Sequence, residues 1–117
     1  MEGGKSSNEL NKVLGRVIVQ GLKNYFPGLN IFLESLTLIK YGRSLEELVS
    51  DDILEFCRLL DNHFSSRETS YRILRMVLKP IIRETDLDEV LDELFRGNTA
   101  PLLSSLDSSI KERSKKS

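Results

Sequence analysis

Apolar residues in this chain recur at intervals of three and four, and no stretch shows the strict interval of two that a half-buried strand requires. Leu10, Val13, Leu14, Val17, Ile18, Leu22, Tyr25 and Phe26 draw the first such stripe. A helix brings residues three and four apart onto one face, so the pattern restricts the chain to helices packed on helices. The expected class is all-α, a compact bundle or orthogonal array of six to seven short helices.

Turn and cap residues set the boundaries. The first helix is expected over about 7 to 26, with Ser6 and Glu9 spaced as a capping box and Pro27-Gly28 ending it. A second, about 29 to 41, is nearly all apolar through Ile31, Phe32, Leu33, Leu36, Leu38 and Ile39, and Gly42 is its left-handed stop. Ser44 with Glu47 opens a short helix over Leu45 to Val49. The next, from about Asp52 to Phe64, turns Ile53, Phe56, Cys57, Leu60 and Phe64 inward. Ser65 with Glu68 caps a helix through Tyr71, Ile73, Leu74, Met76, Val77 and Leu78. Pro80 breaks that helix, because proline lacks the amide hydrogen and crowds the Met76 carbonyl. Asp86 with Glu89 caps an acidic helix that Gly97 ends. Thr99 caps the last, with Pro101 in its first turn and Leu102, Leu103, Leu106 and Ile110 as its stripe. Residues 7–110 thus read as one helical domain between a flexible N-terminus, 1–6, and a flexible charged tail, 111–117.

A chain of 117 residues buries roughly two-thirds of the surface its unfolded form exposes, enough to fold without staples. With 39% hydrophobic and 30% charged residues and a net charge of -1, the composition signals neither disorder nor a strongly charged partner. A single cysteine, Cys57, excludes an internal disulfide and fits a reducing, cytoplasmic setting. No apolar run reaches membrane-spanning length, and the first residues carry no signal-peptide pattern.

Catalytic and metal-binding clusters are missing from the pattern, so the chain reads as a non-enzyme without cofactor or metal. His63 is the only histidine, and its spacing of six from Cys57 puts the two on opposite sides of a helix, which speaks against a thiol–imidazole pair. Gly15 and Gly21 lie inside a helix, where each costs about 1 kcal/mol relative to alanine. A close crossing, inside the fold or across a dimer, explains them equally well.

The most conspicuous charge pattern is a cationic line, Arg72, Arg75, Lys79 and Arg83, with Tyr71 and Met76 beside it as candidate interaction residues. Between Arg58 and Arg83 there are six basic residues against two acidic, and from Glu84 to Glu93 six acidic and no basic. Three readings stand: a solvated face, a contact with the acidic helix of the same or a second chain, or a phosphate contact to nucleic acid. The helix pair from Ser44 and from Asp52 imitates a helix-turn-helix, but its second helix leads with Asp51, Asp52 and Glu55, the wrong sign for phosphates.

The helices holding Leu29 to Tyr41 and Tyr71 to Leu78 read as apolar around most of their circumference, more than so small a core can enclose. The surplus points to a subunit interface. The expected function is a self-associating helical interaction or regulatory module, a homodimer with room for another protein partner; a DNA-associated transcriptional regulator using the basic stripe is the alternative. Phe32-Leu33-Glu34, the Tyr41-Gly42 turn, Asp52-Ile53, then Phe56, Leu60 and Phe64, and the helix holding Ile73 and Val77 together resemble a family of small archaeal all-helical output domains. Where that pattern carries glycine after Phe64, this chain has Ser65. The resemblance implies a helical signalling or regulatory module and assigns no catalytic residue.

Overall fold

A computed structural model describes residues 7–116, with side chains described from 8 to 112. It is all-helical: α1 (Ser7–Tyr25), α2 (Pro27–Tyr41), α3 (Leu45–Asp51), α4 (Ile53–Phe64), α5 (Arg67–Leu78), α6 (Glu84–Phe95) and α7 (Ala100–Lys116). The centre is α1, which packs against α2, α3, α5 and α7. Its Leu14, Ile18 and Leu22 are fully enclosed, as the stripe read from the sequence requires. A second group forms where α5 packs on α4 and α6, and α7 closes the fold against α6 and α1.

The two glycines of α1 are crossing points inside the fold. An added Cβ at Gly21 would stand 2.5 Å from Val77 Cγ1 and 3.3 Å from Val77 Cα, so α5 lies directly on the glycine. At Gly15 it would meet Ser50 Oγ and, at 2.8 Å, the Glu46 carbonyl of α3. The stability lost to glycine in a helix is therefore offset by backbone approach, which larger side chains would forbid.

Several boundaries differ from the sequence reading. Pro27 and Gly28 end α1 but also begin α2: Pro27 occupies the first helical turn, where its missing amide hydrogen costs nothing. Ser65 takes a left-handed conformation, φ 52°, as the C-cap of α4, and Ser66 is the residue that caps α5, accepting from the Thr69 amide. The expected pair Ser65 and Glu68 is thus displaced by one. Asp86 does not cap α6, which starts two residues earlier at Glu84 with no side-chain cap on Arg83. The Asn98 side chain accepts the Ala100 amide at the start of α7.

The last helix continues to Lys116, past the 110 boundary, because helix-forming Lys and Glu residues extend it and Lys111 pairs with Asp107 at 3.1 Å one turn back. The segment 1–6, Ser6 of the first capping box and Ser117 lie outside the described residues. Ser44 and Glu47 form the reciprocal box that their spacing announces, and α5 ends at Leu78 just ahead of Pro80.

Candidate functional site

The helix α2 is held at both ends by very short connections. Only Phe26 separates it from α1, with the Phe26 amide donating to the Leu22 carbonyl and the Asn30 amide to the Phe26 carbonyl. At the other end Gly42, φ 68°, turns the chain sharply into α3. Glu34 Oε1 accepts the Leu45 amide at 3.2 Å, and the Tyr41 hydroxyl donates to Glu55 of α4. That hydrogen bond, then burial, push the Tyr41 hydroxyl up to about 12; the same hydrogen bond, with that from Arg58, holds Glu55 below the usual carboxylate range. These ties fix the rotation of α2 about its own axis.

The fixed rotation turns a partly polar side inward. Beside Leu33, α2 buries Asn30, 6% exposed, and Thr37, fully enclosed, whose hydroxyl bonds the Glu34 carbonyl. The Asn30 carbonyl oxygen Oδ1 finds no hydrogen-bond partner among the described residues, a state that costs about 1–3 kcal/mol. Meanwhile Ile39 is 83% exposed, Ile31 67%, Leu38 64% and Phe32 43%. Two polar side chains thus share the core side with Leu33 and the partly buried Leu29 and Leu36, while four large apolar ones face water, unlike an ordinary surface helix. The ring of Phe32 lies 4.6 Å from that of His63 on α4, so one member of the exposed row is braced against the fold.

The cationic line is built differently. Arg72 pairs with Glu68 on its own helix at 2.8 Å. Arg75 reaches α6, donating to Asp88 at 3.1 Å and standing 3.8 Å from Glu84, and the Tyr71 hydroxyl donates to the same Asp88 oxygen at 3.0 Å. The Arg75 guanidinium, followed by Tyr71, holds the Asp88 carboxyl below the ordinary range; burial and the Asp88 contact push the Tyr71 hydroxyl up to about 12. Arg83 pairs with Glu112 of α7. The structure therefore brings Tyr71 and Arg75 together at α6, places Arg72 and Arg83 elsewhere, and leaves Lys79 exposed and Met76 47% exposed.

The same packing corrects the reading of α5 as apolar all round. Ile73, Leu74, Val77 and Leu78 are all buried, and the rest of the circumference is charged or polar, apart from Met76 and the half-buried Tyr71. Of the two helices that looked too greasy to hide, only α2 leaves a broad apolar face in water. Its outer residues were legible as surplus, yet only the contacts show which four of them remain uncovered.

Cys57 is buried and His63 exposed, on different sides of α4; burial first, and the nearby Asp61 second, push the Cys57 thiol up to about 12. Among the described residues no group of three or more His, Cys, Asp or Glu is placed to hold a metal ion, and no helix is long and apolar enough to cross a membrane. Compared with known proteins, the chain matches no family model, no curated protein and no solved structure.

Proposed function

We propose that this protein is a non-enzymatic helical interaction module that self-associates through the outer face of α2. The observation that carries the reading is the arrangement just described: the fold accepts an unpaired buried Asn30 and an enclosed Thr37 beside Leu33 while leaving Ile31, Leu38 and Ile39 in water. Exposed apolar surface gathered on one helix, without charged residues among it, marks a protein contact. Arg72, Arg75 and Arg83 already engage carboxylates of this chain, which weighs against a phosphate-binding stripe and for a structural use of those cations. A regulatory or assembly role in a reducing, cytoplasmic setting fits a chain whose single cysteine, Cys57, has no partner within it for a disulfide.

Sedimentation velocity tests this. The chain is expected to form a dimer at high micromolar concentration, and Leu38→Asp or Ile39→Asp to make it monomeric with its helical circular dichroism unchanged. A wild-type chain that stays monomeric at that concentration contradicts the reading.

A further inference from the structure

The outer face of α2 is symmetric about its middle. Taking Ser35 as the centre, the four large exposed residues stand at minus four and minus three, Ile31 and Phe32, and at plus three and plus four, Leu38 and Ile39. Exposed glycines lie seven positions away on either side, Gly28 and Gly42. At 3.6 residues per turn the six positions within α2 fall on one side of the helix, with Gly28 and Ser35 along the middle and the large side chains in two flanking rows, and Gly42 follows as the cap. None of them is charged. The nearest acid, Glu34, is turned aside to the Leu45 amide.

From this register, and resting on the self-association proposed above, we infer that the occupant of the face is the same helix of a second copy, running antiparallel, with the twofold axis passing between the two copies of Ser35. A twofold interface must be complementary to itself. An axis perpendicular to the helix sets the residue k places before Ser35 against the one k places after it in the partner, so each copy's Ile31 and Phe32 meet the partner's Ile39 and Leu38. Every large side chain then has a large apolar counterpart. The small residues along the middle allow the two backbones to approach, and antiparallel alignment sets opposite helix-dipole ends side by side. In a parallel pair Ser35 would face Ser35 as well, but each other residue would face its own copy and the dipoles would repel. Phe32, already braced by His63, loses little freedom on docking.

Disulfide trapping reads the geometry directly. Native Cys57 is buried and serves as the silent background. In an antiparallel pair Ser35→Cys crosslinks to itself. Ile31→Cys and Ile39→Cys each fail alone, because two copies of either stand eight residues, about 12 Å, apart along the helix axis, beyond the ~7 Å Cα separation a disulfide spans. The two variants mixed give the hetero-crosslink. The expected result is majority trapping of Ser35→Cys and of the mixed pair, with each single variant at the wild-type background. Self-crosslinking by Ile31→Cys or Ile39→Cys, without the mixed product, shows a parallel pair and overturns this inference while leaving self-association through α2 standing. Absence of every crosslink in a chain that sediments as a dimer overturns it as well. A chain that sediments as a monomer removes both this inference and the reading beneath it.

Discussion

Two helices that both read as surplus apolar surface in the sequence meet opposite fates in this molecule. Three neighbours, α1, α4 and α6, surround α5, and its four aliphatic residues from Ile73 to Leu78 are buried while its arginines find carboxylates. Only α1 and α3 flank α2, which reaches α4 through the side chains of Phe32 and Tyr41. What separates them is the number of neighbours and the rotation their connections impose. Apolar content shows how much a helix has to hide; the short ties at Phe26, Gly42 and Glu34 decide which part it hides.

The comparison breaks most visibly at single leucines and isoleucines. Leu74→Ala empties a fully enclosed site on α5 and is expected to cost about 2–5 kcal/mol. Ile39→Ala on α2 should change monomer stability by less than about 0.5 kcal/mol. Urea unfolding of both variants at low protein concentration checks the pair; equal costs would mean that Ile39 is packed within its own chain. A smaller effect is expected where α5 presses on α1. Gly21→Ala drives a methyl group into Val77 and should lose about 1–2 kcal/mol, overpacking outweighing the gain in helix propensity. At Gly28 of α2 an added Cβ meets nothing within 4 Å, and the same substitution should stabilise the monomer by about 0.5 kcal/mol.

Much of this architecture was legible because its signals are local. The reciprocal Ser44 and Glu47 cap, the Gly42 stop and the break ahead of Pro80 each depend on a few adjacent residues, and the structure reproduces them. Ser65 shows the limit of such signals: two adjacent serines offer the same capping chemistry, and only the left-handed turn at the first leaves the second to cap. The cationic line at Arg72, Arg75 and Arg83 was visible as a run of charge, but its carboxylate partners come from three different helices. Likewise, an apolar α2 announced excess surface, whereas burial of Asn30 and Thr37 in place of Ile31 and Leu38 follows from tertiary ties that no periodicity encodes.

Smaller effects refine the account of α5. Ser65→Gly removes the strain of a side chain at φ 52° just ahead of that helix and should raise stability by about 0.5–1 kcal/mol in urea unfolding; a loss instead would mean that the serine side chain supports the turn. The smallest effect concerns pH. The folded Asp88 carboxyl titrates below its unfolded value because Arg75 and then Tyr71 bind its charged form. Its contribution is full above the unfolded pKa, about 3.9, and is lost as pH falls through the depressed folded pKa. Asp88→Asn should lower stability at neutral pH and flatten the acid limb of the stability profile. An unchanged acid limb would assign that limb to other carboxylates.

Methyl spectra recorded with a soluble paramagnetic agent, across a dilution series, set the two helices against each other most directly. The methyl groups of Ile73, Leu74 and Leu78 should be shielded at every concentration, while those of Ile31, Leu38 and Ile39 should be broadened when dilute and become shielded as protein concentration rises. Methyl groups of α2 that stay equally accessible from the lowest to the highest concentration would contradict the claim that a second copy covers this face.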